Sequence, residues 1–181
     1  MNSSIDKGDR GERAFANLCN KWKCEYLHIR QDKDGLSSEM FRNYEKRPDF
    51  FVNIPDIAPI FVEVKAKSIG RKTMTGLLSG EPAFGEEHKP FLRTRNFQSK
   101  VGIATWYAFF EDTDKGLDET TAYLSPVSRL EKQIHPKRLG DYEGWPIIWT
   151  PRKCMNRCAD HLDLSNLCIK CKDRICESPD I

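Results

Sequence analysis

Ile60-Phe61-Val62-Glu63-Val64-Lys65 is an apolar run that interrupts itself with two ionisable side chains, and few arrangements satisfy it. In a strand, alternate residues point to opposite faces, so Val62 and Val64 share one face while Glu63 and Lys65 share the other. A second strand, Asp49 to Asn53, precedes it. The turn region between them contains Pro55 and Pro59, which neither a helix nor a central strand tolerates well. Paired as a hairpin, the two strands bring Asp49 near Glu63 and Lys65, so that two carboxylates converge with one ammonium.

The rest of the chain reads as helices and strands around this pair. Asp9 to Lys23 carries Ala14, Phe15, Leu18, Cys19 and Trp22 at helical spacing, which predicts an amphipathic first helix capped near Asp9. Glu25 to Gln31 predicts a short strand, and Asp32 to Lys46 a loop. Arg71 to Lys89, with three glycines and a proline, predicts a long loop. Phe91 to Ala104 predicts a second helix. Trp106 to Glu111 and Thr120 to Leu124 predict strands joined by a turn at Asp114, Lys115 and Gly116. Trp145 to Thr150 predicts one more strand.

A chain of 181 residues fits one ordinary domain with a small appendage. The expected division is a domain over residues 1–150 and a cysteine-rich tail over 151–181. The net charge of +2, from 29 basic and 27 acidic residues, excludes a wholesale polycation, so local clusters must carry any attraction to nucleic acid. The start, MNSSIDKGDRGER, lacks the apolar core of a signal peptide, and no stretch approaches the ~18 apolar residues of a membrane span. A soluble cytoplasmic protein is expected.

Carboxylate oxygens suit a hard divalent ion such as magnesium, which binds through one or two carboxylates plus water and substrate phosphate. The Val64 backbone carbonyl offers a further ligand. Such an ion activates water and neutralises charge on a phosphate oxygen, while Lys65 could orient that water or stabilise the transition state. Phosphodiester hydrolysis is the reaction class these groups serve.

Pro48-Asp49 followed by Glu63-Val64-Lys65 resembles the motif of the PD-(D/E)xK nuclease superfamily, the restriction-endonuclease-like enzymes. The resemblance implies an α/β fold, a mixed sheet flanked by helices in the order α, β, β, β, α, β, and residues 9–124 read in that order. It implies DNA cleavage with magnesium or manganese, with Asp49, Glu63 and Lys65 in the active site and a homodimer as one possible assembly. Many members carry a glutamate on the first helix facing the metal, to which Glu12 is similar. Gln98 resembles a polar residue that some members place near the site. Lys67, Arg71 and Lys72 lead away from the catalytic strand, and Arg93 and Arg95 follow on the second helix. These groups are candidates for phosphate contacts.

Cys154-x3-Cys158 and, nine residues on, Cys168-x2-Cys171 have spacings that suit tetrahedral zinc, with His161 or Cys176 as possible substitutes. A small zinc knuckle is expected. The rival is a [4Fe-4S] cluster on Cys168, Cys171, Cys176 and an upstream cysteine such as Cys24, similar to iron-sulfur nucleases of the same superfamily. A different class of function also stays open, a zinc-containing nucleic-acid-binding module on this fold without hydrolytic activity.

Overall fold

Helix α1 (Ser4–Lys21) opens the chain in a computed structural model that describes residues 4–29, 47–55, 58–69, 82–132, 139–142, 145–152 and 155–162. It begins ahead of Asp9, the expected cap, and runs through Gly8 and Gly11. Packing outweighs the poor helix propensity of these glycines. Ala14, Phe15, Leu18 and Cys19 are all buried, and a Cβ at Gly11 would make an ordinary contact with Val64 Cγ1 at 3.4 Å. The helix therefore rests on the Val64 strand, with glycine at the point of approach. Gly8 has open space around it, so Gly8→Ala is expected to stabilise the protein by about 0.5–1 kcal/mol. The check is a higher urea midpoint at unchanged slope.

The first three strands are β1 (Glu25–His28), β2 (Phe50–Asn53) and β3 (Pro59–Ser68). They pair antiparallel in turn, with His28 opposite Phe50 and Phe50 opposite Val62. After β4 (Ala83–Glu87) and helix α2 (His88–Val101), strand β5 (Thr105–Thr113) lies parallel to β3, with Glu63 opposite Tyr107 and Lys65 opposite Phe109. Strand β6 (Gly116–Pro126) returns antiparallel and leads to helix α3 (Val127–Lys132). Strands β7 (Leu139–Tyr142), β8 (Trp145–Pro151) and β9 (Asn156–Cys158) complete the described chain. The larger sheet has the order β1-β2-β3-β5-β6-β9, and the smaller one β4-β8-β7. A mixed, mostly antiparallel sheet with flanking helices results, compatible with a restriction-endonuclease-like core.

Alternation along β3 sorts the two faces. Val62 and Val64 join Phe15, Leu18, Phe50, Trp106 and Phe110 beneath α1. On the other side Phe84, Phe91, Tyr107, Phe109 and Tyr123 form a second cluster, beneath β4 and α2. Glu63 and Lys65 are on this second face, in line with Phe61, whose ring meets Phe97 of α2 edge-on at 5.1 Å.

Strand β4 lies where the long loop of residues 71–89 was expected. It pairs with β8, Phe84 opposite Thr150 and Glu86 opposite Ile148, and Phe84 stacks on Phe109 at 5.1 Å. Gly85 permits the approach of β8, since a Cβ there would meet Trp149 at 3.0 Å. Residues 70–81 lie outside the described residues.

Strand β9 extends the main sheet beyond residue 150, pairing with β6. Trp22 Nε1 donates to Ala159 O at 3.0 Å, which fastens this segment to the end of α1. No helix among the described residues is long and apolar enough to cross a membrane.

Candidate active site

Where β2 and β3 begin to part, Asp49 takes over the ladder. Its N–H donates to Val62 O at 3.0 Å, and its carbonyl accepts the Ile29 N–H at 2.8 Å. The next β3 amide, Val64 N–H, donates to the side chain instead, reaching Asp49 Oδ2 at 2.7 Å. This charge-assisted bond fixes the carboxylate beside β3. Burial of Pro48, Asp49 and Phe50 together makes that position part of the core's edge rather than a mobile tip.

Glu63 is 1% exposed, and Lys65 Nζ stands 2.7 Å from Glu63 Oε1. A buried carboxylate is costly without such a partner. Burial works against the Lys65 ammonium, yet Glu63, then Glu86 and Asp49, outweigh it and push its pKa up. Lys65 is therefore a persistent cation, fitted to stabilise negative charge rather than to accept a proton. Asp49 adds to the upward push on Lys65, after Glu63 and Glu86.

Glu86 was missed at the level of sequence. It is buried, 4% exposed, with Oε2 3.5 Å from Lys67 Nζ, and it bears on Lys65 as well. The signal available was the alternation Phe84, Glu86 within Ala83 to Glu87, hidden by the neighbouring glycines. Tyr107 lies beneath these groups and donates its hydroxyl proton to Thr94 Oγ1 at 3.0 Å. Burial first, then Glu86 and Glu63, raises its pKa, so the phenol stays neutral.

Other candidates have different surroundings. Glu12 Oε2 lies 2.7 Å from His28 Nε2, and the His28 ring stacks on Phe50 at 4.6 Å. This pair lies on the α1 side of the sheet, one residue along from Asp49. Gln98 Oε1 accepts the Thr105 N–H at 2.8 Å, tying the end of α2 to the start of β5. Because Thr105 is fully buried, Gln98→Ala is expected to cost about 1–3 kcal/mol in denaturant unfolding. Arg95 Nη1 is engaged with Glu131 Oε1 at 3.0 Å. Arg93 is half-buried on α2, whereas Arg71 and Lys72 lie outside the described residues.

Asp49 and Glu63 offer carboxylate oxygens and Val64 a backbone carbonyl, hard donors of the kind that magnesium or manganese takes. Among the described residues no group of three or more His, Cys, Asp or Glu is placed to hold a metal. The zinc knuckle finds no support among the described residues. Cys154, Cys168, Cys171 and Cys176 lie outside them, and His161 is exposed. Cys158 is fully buried in the cluster beneath α1, where its side chain serves the core. Burial raises the thiol pKa of Cys24 and takes that of Cys19 up to about 12, with Cys24 adding to the latter.

No protein-family model and no curated protein matches the chain. Among solved structures, it is similar to Hjc, a Holliday junction resolvase from the archaeal hyperthermophile Archaeoglobus fulgidus, with 14% identity, a TM-score of 0.47, and 81% of this chain and 90% of that one covered. It is also similar to a nuclease from a fusselovirus, with 12% identity, a TM-score of 0.40, and 86% and 81% covered.

Proposed function

We propose that this chain hydrolyses phosphodiester bonds in DNA with the aid of magnesium or manganese. Two contacts support the reading: the Val64 N–H holds Asp49 Oδ2 beside β3 at 2.7 Å, and Lys65 Nζ stands 2.7 Å from the buried Glu63 carboxylate.

Asp49 and Glu63 would hold the divalent cation, with the Val64 carbonyl as a further ligand. When bound, the cation supplies Lewis acidity toward a phosphate oxygen and acidifies water at neutral pH. Lys65 contributes a fixed positive charge toward the phosphate, in surroundings where a charge interaction is stronger than in water. The low exposure around Glu63 keeps bulk water from weakening that interaction. Glu12, presented from α1 and held by His28, would aid a metal ligand or a second ion. Lys67, Arg93 and the basic residues at 71 and 72 would contact the DNA backbone, which makes affinity fall with salt.

The test is a plasmid-cleavage assay with magnesium, comparing the parent with Glu63→Gln. Cation-dependent cutting by the parent and its loss in the variant support the reading. Binding of DNA by the parent without cutting at any divalent cation would replace it with a non-catalytic nucleic-acid-binding module.

A further inference from the structure

Among the described residues, the cation reading gives no task to the buried carboxylate of Glu86. It comes from the smaller sheet rather than from the strands that carry the site. What it faces is positive. Lys67 Nζ lies 3.5 Å away, and two residues back along β3 Lys65 points to the same side.

Its position is set by packing. Phe84 and Glu86 share a face of β4, and Phe84 is stacked on Phe109, the residue opposite Lys65 in the β3–β5 ladder. That stack holds β4 against the face of β3 and β5 that carries Phe109, where Glu86 reaches Lys67. Without a cation, Lys65 is held by Glu63 at 2.7 Å. A divalent ion on Glu63 would draw on the same oxygens and repel the ammonium. Lys65 then needs another carboxylate to remain in place, and Glu86, 3.5 Å from neighbouring Lys67, is the buried carboxylate outside the proposed cation ligands that bears on it.

We propose that Glu86 is a positioning residue, which takes over Lys65 from Glu63 when a cation binds and keeps Lys65 and Lys67 on the catalytic face. The inference rests on the cation reading above. It assigns Glu86 no contact with substrate and no place among the metal ligands.

The test is nitrogen-15-edited NMR of the lysine ammonium groups in the full chain, with and without magnesium, for the parent and Glu86→Gln. A held ammonium exchanges its protons slowly enough to be seen. The parent should show the Lys65 resonance in both conditions. Glu86→Gln should show it without magnesium, where Glu63 suffices, and lose it when magnesium is added. A merely structural role for Glu86 would not produce a loss that depends on the cation. Survival of the resonance in Glu86→Gln with magnesium, while the Asp49 and Val64 amides shift, would overturn the role of Glu86 alone. If magnesium moves no amide near Asp49 or Glu63 in the parent, the cation reading fails and this inference with it. Should Glu86→Gln not fold, Glu86→Asp keeps the charge but withdraws it by one methylene, and the same magnesium-dependent loss or broadening must appear there.

Discussion

Lys65→Met is expected to destabilise the protein by about 3 kcal/mol, the low end of the cost of removing one member of a buried ion pair. Methionine keeps the apolar stem but leaves the Glu63 carboxylate, 1% exposed, without the ammonium at 2.7 Å. The partial exposure of Lys65, 22%, is why the low end applies. Pairing the change with Glu63→Gln should restore much of the loss, because the buried charge is then gone as well, and a double-mutant cycle in urea reads this coupling directly. The pH dependence follows from the raised lysine pKa. Its stabilising contribution is complete below ~10.4, the value in an unfolded chain, and is lost progressively as the pH rises from there through the higher folded value. Across the neutral range this part of the stability should be flat. Added magnesium should recover part of the stability of Lys65→Met, since a cation on Glu63 replaces the missing charge.

Asp49→Asn should lower DNA cleavage by about 10³-fold or more, as expected when one member of a catalytic unit is removed, while leaving the fold intact. The amide oxygen of asparagine can still accept the Val64 N–H now bonded to Oδ2 at 2.7 Å, so the strand junction keeps its bond and loses only its charge. Asp49→Ala separates the two roles. It removes the acceptor altogether and should cost about 1–3 kcal/mol in addition to activity. A drop in cleavage that merely followed stability across the pair would contradict a chemical role for Asp49.

The parts legible in sequence were those governed by local alternation. Val62 and Val64 against Glu63 and Lys65 specified both faces of β3, and the turn at Asp114 to Gly116 placed the β5–β6 hairpin, which ends with Thr113 opposite Gly116. The parts that escaped depend on partners far along the chain. Strand β4 is a strand because Phe84 meets Thr150 and stacks on Phe109, and neither contact is visible near Gly85. For the same reason Glu86 looked like a loop residue. Gly8 argued against a helix before Asp9, but the helix is held by the burial of Ala14, Phe15, Leu18 and Cys19 further along it. Cys158 lies on a strand paired with β6, opposite Ala122, and is fully buried, a placement that its spacing from Cys154 does not reveal. Glu12 was legible as a helix carboxylate near the sheet, whereas His28 was not singled out, because its role depends on stacking over Phe50.

The most direct test of the central claim is anomalous diffraction from crystals soaked in manganese. The account predicts one peak bridging the carboxylates of Asp49 and Glu63, with Lys65 Nζ released from Glu63. A peak elsewhere, or none while Lys65 still holds Glu63, would contradict it.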